Sequence, residues 1–189
     1  MNKIEFDKEY CIQTEKGEIC YWKESEFKER IAAGVKKREA NRWVVKKKLK
    51  KLNANSTISH ADNGAPLLHG HSCREISVSH SDALYALYFS NEAVGVDIQL
   101  FKKGVSKGRS YFVNSEEEQN LDLSDLNLHL IWGAKEAFYK SLKGNVENAR
   151  EELRITAIDL MDTSLILTFK KKEFRLKFRV WENFVLVWT

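Results

Sequence analysis

Nine consecutive residues, Trp132-Gly133-Ala134-Lys135-Glu136-Ala137-Phe138-Tyr139-Lys140, put two lysines and one carboxylate on little more than two helical turns. Upstream, Val94-Gly95-Val96-Asp97-Ile98-Gln99 reads as an apolar strand that ends on or near the carboxylate of Asp97. Magnesium prefers hard oxygen ligands, usually one or two carboxylates completed by water and substrate phosphate. Lysines beside such a pair suit the phosphate. Asp97, Glu136, Lys135 and Lys140 together therefore point to a divalent-metal and phosphate site. Each is ordinary by itself: Asp97 as a turn or capping residue, Glu136 and Lys140 as a surface pair four residues apart. The combination carries the expectation.

Other residues add to it. Arg38 and Arg42 lie four apart on one face of a basic helix, and guanidinium forks suit phosphate. Ser79-His80-Ser81 closes a strand-like run from Ile76. His60, His69, His71 and His129 fit no pattern, and His69-Gly70-His71 lacks a third clustered ligand. Cys11, Cys20 and Cys73 include no close-spaced pair, which argues against a zinc site or a disulfide framework and fits a reducing cytoplasm. Cys11 and Cys20 could pair across a hairpin, but free thiols are the expectation.

The elements that must position these groups follow from periodicity. Tyr10 to Gln13 and Glu18 to Trp22 read as strands around the turn Thr14-Glu15-Lys16-Gly17. Ser25 is a candidate N-cap for a helix to about Ala33, and a second helix is predicted from about Lys37 to Leu52. Residues 53–74, with the only proline, Pro66, read as loop with at most a short strand. Glu75 to Ser79, Ala83 to Phe89 and Ala93 to Gln99 read as three adjacent strands. Residues 106–142 read as helical, with Ser115 before three glutamates and Ser124 or Asn127 as caps. Ile155 to Thr189 reads as an antiparallel meander. The order predicts an α+β protein of two similar halves, residues 1–92 and 93–189.

The chain holds 189 residues, enough for a real core, and its 31% charged residues are ordinary for a globular protein. No apolar run approaches the roughly 18 residues of a membrane span, and the first residues, Met1 to Asp7, lack the apolar core of a secretory signal. The net charge of +4 is concentrated between Lys36 and Lys51, where Glu39 is the only acid. Such a patch attracts polyanions, but no helix-turn-helix, zinc or aromatic RNA platform supports nucleic acid as the partner.

The G-V-D strand of Gly95-Val96-Asp97, then about forty residues, then the W-x-x-K-E-A-x-x-K of Trp132 to Lys140 resembles the signature of the 4′-phosphopantetheinyl transferases. Ser79-His80-Ser81 is similar to that family's S-H-S strand. The likeness covers roughly residues 36–145 and is to a short variant of the two-halved, surfactin-synthetase-activating type.

The resemblance implies two pseudo-symmetric α/β halves in one chain, antiparallel sheets with packed helices, and an active site in the cleft between them. It implies a cytoplasmic, monomeric enzyme that moves 4′-phosphopantetheine from coenzyme A to a serine of an apo acyl or peptidyl carrier protein, releasing 3′,5′-ADP. Asp97 and Glu136 would hold magnesium, or manganese, against the pyrophosphate. Lys140 would sit by the leaving phosphate and Lys135 would add a phosphate contact. Arg38, Arg42, Ser79 and His80 would meet coenzyme A around its 3′-phosphate. The base that takes the serine proton would be Glu116, with Glu117 and Glu136 as alternatives. Two departures from the pattern point to a non-catalytic coenzyme A or carrier-binding relative as the alternative. Gln99 stands where longer members carry a third acid, and Gly64-Ala65-Pro66 stands where the family has G-K-P.

Overall fold

Strands β1 (Glu9–Gln13) and β2 (Gly17–Lys23) form an antiparallel hairpin in a computed structural model that describes residues 4–102 and 104–189. Met1 to Lys3, part of the segment examined for a secretory signal, lie outside the described residues. Helix α1 (Ser25–Ala32) follows, but Ser25 does not cap it: its hydroxyl and its amide both donate to the Asp7 carboxylate. Helix α2 (Lys37–Leu52) turns Ala40, Asn41, Val44, Val45, Lys48 and Leu49 inward, the stripe a 3.6-residue period requires.

Residues 53–74 hold more than a loop. Strands β3 (Thr57–His60) and β4 (Pro66–His69) pair as a two-stranded sheet. Asn, Gly and Pro between them mark a turn, but four-residue strands with one exposed face carry too little apolar pattern to be seen.

Strands β5 (Glu75–Ser81) and β6 (Leu84–Ser90) join the first hairpin in the order β1-β2-β6-β5. All of β6 is buried, because α2 packs on one face of this sheet and apolar residues of the neighbouring sheet pack on the other. Strand β7 (Val96–Leu100) lies beside β5, as expected of adjacent strands, but belongs to a different sheet. It pairs with β11 (Phe184–Trp188) in a second sheet, β7-β11-β10-β9-β8, whose other members are β8 (Arg154–Asp159), β9 (Ser164–Phe169) and β10 (Lys172–Val180). The C-terminal meander is as expected, with β7 added from far upstream.

The two sheets meet along β5 and β7 through side chains. Ser77, Ser79 and Ser81 alternate on β5, and their hydroxyls accept from the backbone N–H groups of Val96 (3.0 Å), Ile98 (3.1 Å) and Leu100 (3.1 Å). The constant offset of 19 residues means that the strands run in the same direction. The free edge of β7, which would otherwise bury unpaired N–H groups, is thus satisfied.

Between β7 and β8 lie a 3₁₀ helix (Val105–Tyr111), α3 (Ser115–Asn120), α4 (Asp125–Ser141) and α5 (Ala149–Glu152). Helix α3 is capped by Asn114 rather than Ser115, in a reciprocal capping box with Glu117, and Ser124 caps α4. The chain is an α+β protein of antiparallel sheets and packed helices. No helix among the described residues is long and apolar enough to cross a membrane.

Candidate active site

Two glycines seat α4 on the second sheet. A Cβ on Gly95 would stand 1.7 Å from the carbonyl oxygen of Ala137, and one on Gly133 would stand 2.9 Å from Val187. Only bare backbone permits this approach. Glu136 lies one turn from both Gly133 and Lys140 and therefore faces the start of β7.

Asp97, 6% exposed, is the hub. Its Oδ1 accepts from Ser79 Oγ (2.8 Å) and Lys140 Nζ (2.7 Å), and its Oδ2 accepts from Gln99 Nε2 (2.7 Å). Lys140 also donates to the carbonyl of Val96 at 3.1 Å. Glu136 is half-buried, and no hydrogen-bond donor among the described residues reaches it. Burial, followed by the negative charge of Asp97, raises its carboxyl above the usual glutamate value, and Lys140 offsets this only in part.

The orientation of Gln99 is fixed by a histidine. The Lys102 N–H donates to His129 Nε2 (3.2 Å), so the ring proton resides on Nδ1, which donates to Gln99 Oε1 (3.1 Å). The amide nitrogen of Gln99 is left to face Asp97. Burial pulls His129 below its usual pKa, which favours the neutral ring. Gln99 therefore presents a donor to the carboxylate and no oxygen toward Glu136. His129 showed no pattern in the sequence, because a partner thirty residues away on a strand leaves no local spacing.

His80 lines two depressions. One is a groove of about 990 Å³ between α2 and the β3–β4 hairpin, lined by Lys37, Arg38, Arg42, Lys46, His60 and Pro66 among others. The second, about 500 Å³, is lined by Asp97, Gln99, Lys102, His129 and Trp132. Partial desolvation of its ring, then the positive charges of Lys140 and Lys37, lower the pKa of His80. Beyond the groove, two lysines of the basic run are spent on structure. Lys47 pairs with Glu24 and Glu26, and Lys48 pairs with Glu9 above the Trp22 ring.

The fold thus gathers Asp97, Glu136, Lys140, Ser79 and His80, with Arg38 and Arg42 along the adjoining groove. Ser79 is buried, and its hydroxyl is committed to Asp97 and Ile98 rather than to the groove. Lys135 and Glu116 are placed elsewhere. Lys135 is buried, with Nζ donating to Glu117 (2.8 Å) and to the carbonyls of Phe112 (2.7 Å) and Arg150 (2.9 Å). Burial pulls its ammonium pKa down and Glu117 opposes that shift. Glu116 is exposed, pairs with Arg154 at 2.7 Å and lines a separate hollow with Glu151 and Lys171. Glu117 is filled by Lys135 and the N–H groups of Asn114 and Ile155.

Asp97 and Glu136 form a like-charge pair that Lys140 offsets only in part and that a divalent ion would relieve further. Asp97 already accepts from three donors, of about four lone-pair positions a carboxylate offers. One position on Asp97 and all of Glu136 stay open. That donor set fits magnesium, which takes one or two carboxylates and leaves the rest to water and phosphate. The chain matches no protein-family model, and no curated protein shows significant similarity to it.

Proposed function

We propose that this protein is a magnesium-dependent 4′-phosphopantetheinyl transferase. The observation that carries the reading is the convergence of Asp97, Glu136 and Lys140, with His80 under the charges of Asp97 and Lys140 and at the same time lining the cation-lined groove. The active site lies in a cleft between two pseudo-symmetric halves, joined at the β5–β7 serine seam. Each half combines an antiparallel sheet with a long helix packed on it, α2 in one and α4 in the other. Both sides of the cleft come from one chain, so the enzyme acts as a monomer in the cytoplasm.

Coenzyme A is the donor. Arg38, Arg42 and His80 bind its phosphorylated ribose end in the groove. The carrier serine oxygen attacks the β-phosphorus, the bond from that phosphorus to the bridging oxygen breaks, and 3′,5′-ADP leaves. Asp97 and Glu136 would hold the magnesium ion, whose charge lowers the repulsion between the pyrophosphate and the incoming oxygen. Lys140, held at 2.7 Å from Asp97, faces the leaving phosphate and stabilises its charge. Glu136 is the better candidate to receive the serine proton, because Glu116 and Glu117 are engaged away from Asp97. Such a site works by positioning and electrostatics.

One observation favours a binding-only relative. Three of the lone-pair positions of Asp97 are already taken within the protein, and Gln99 turns a donor toward it. Incubation with coenzyme A, magnesium and an apo carrier protein, followed by mass measurement of the carrier, decides between the readings. Transfer adds the phosphopantetheine mass. Binding of coenzyme A with no mass gain across several carriers and metals supports the relative and sinks the enzyme.

A further inference from the structure

Far from this site, β1 and β2 bring two thiols and two carboxylates together at the sheet edge. Their register sets Cys11 directly opposite Cys20, with the sulfurs 3.3 Å apart. Glu9 precedes Cys11 by two residues and Glu18 precedes Cys20 by two, so each carboxylate lies on the same side of its strand as its thiol. Glu9 Oε1 is 3.8 Å from Cys11 Sγ, and Glu18 Oε1 is 3.6 Å from Cys20 Sγ. One ligand atom each from Glu9, Cys11 and Cys20 all lie within 4.8 Å of one another. The second oxygen of Glu9 is occupied by Lys48, which leaves Oε1 turned to the thiols.

We propose that Cys11, Cys20 and Glu9, with Glu18 or water as the fourth ligand, form a zinc site. Two sulfurs and one or two carboxylate oxygens suit a borderline-soft divalent ion and suit magnesium or calcium poorly. Tetrahedral zinc with Zn–S near 2.3 Å holds its sulfurs about 3.8 Å apart, so the pair opens by about half an ångström. The carboxylates separate this site from a simple thiol pair. A disulfide would make no use of them, whereas a cation satisfies thiolates and carboxylates together. The ion must therefore displace both thiol protons to solvent as its two sulfur bonds form. Cys11 is exposed and supplies the path of entry. The sequence hid this site because its cysteines are paired by register and not by a short loop.

Cobalt is the probe, added to reduced, metal-free protein. The expected result is thiolate-to-cobalt charge-transfer absorption that saturates at one ion per chain and is abolished by an equal amount of zinc. Asp97 and Glu136 offer only oxygen, so binding there gives no such band. Cys11→Ser on the exposed edge strand should remove the band and keep the circular dichroism of the wild type. Glu9→Gln should weaken zinc binding about tenfold or more, at least the cost of losing a ligand's supporting partner. Absence of the band in folded protein, or its persistence in Cys11→Ser, overturns the proposal. If Cys11→Ser misfolds, alkylation of Cys11 in the wild type serves instead. Zinc must slow it, and an unchanged rate overturns the proposal equally.

Discussion

Lys135 and Lys140 project from the same helix, and each meets a carboxylate, yet the two pairs have little else in common. The Lys135–Glu117 pair is closed: the side chains are 4% and 1% exposed, and every ammonium proton has an acceptor. The Lys140–Asp97 pair is open: Lys140 is 26% exposed, and the unpartnered carboxylate of Glu136 lies beside it. The first ties α4 to α3, α5 and β8. The second leaves the charge of Glu136 without a hydrogen-bond partner among the described residues, next to a carboxylate that lines a cavity. A buried ion pair with all its hydrogen bonds made is a fixture, whereas a like-charge pair at a pocket is a place where a ligand can gain binding energy.

Breaking the closed pair should have the largest effect. Lys135→Met leaves Glu117 buried without its cation and should cost about 3–5 kcal/mol, seen as a lower urea midpoint. A stability loss below about 1 kcal/mol would show that the pair is not the fixture described. Glu136→Ala should do the reverse. Carrier modification should fall at least about 100-fold, as for loss of a charge-stabilising group at a reaction centre, while the urea midpoint holds or rises. Wild-type transfer by that variant removes Glu136 from the site.

The pH dependence sharpens the contrast further. Because the folded pKa of Glu136 is raised, the native state binds more protons than the unfolded chain between the ordinary glutamate value and the folded one. Its contribution to stability is present at low pH and is lost as pH rises through the folded pKa. Wild type should show this downward slope relative to Glu136→Gln in urea titrations at several pH values. Magnesium at ten times its dissociation constant should restore about 1.4 kcal/mol at neutral pH in wild type and much less in Glu136→Gln. The smallest effect is expected from Gln99→Glu, which places a third acid beside Asp97 and should tighten magnesium about tenfold or less. An unchanged magnesium titration would show that position 99 does not act on the metal.

The helix motif was legible as residue types, but its division of labour was not. Spacing grouped Lys135 with Lys140, because both lie near Glu136 in sequence. Only the packing of α4 shows that Lys135 points toward Phe112 and Arg150 while Lys140 points toward β7. Long periodic elements such as α2 and the C-terminal meander followed directly from pattern. The β3–β4 hairpin did not, since short half-exposed strands have little pattern to detect. Strand β7 was legible as a neighbour of β5 but not as a member of another sheet, because β-propensity carries no information about the partner. The chain joins it to β5 by serine hydroxyls, and the S-x-S-x-S alternation that does so is visible in the sequence, where Ser79 and His80 read instead as coenzyme A contacts.

That seam makes the position of Asp97 a discrete quantity. Side chains of a strand alternate, so sliding β7 by one residue along β5 would turn Asp97 to the opposite face. The nearest register that still presents it is two residues away, about 6.6 Å. Small insertions near the Asn91–Gly95 connection cannot nudge the carboxylate by a fraction of an ångström. They either leave it in place or remove it entirely, so variation in that loop should sort into neutral and null with little between.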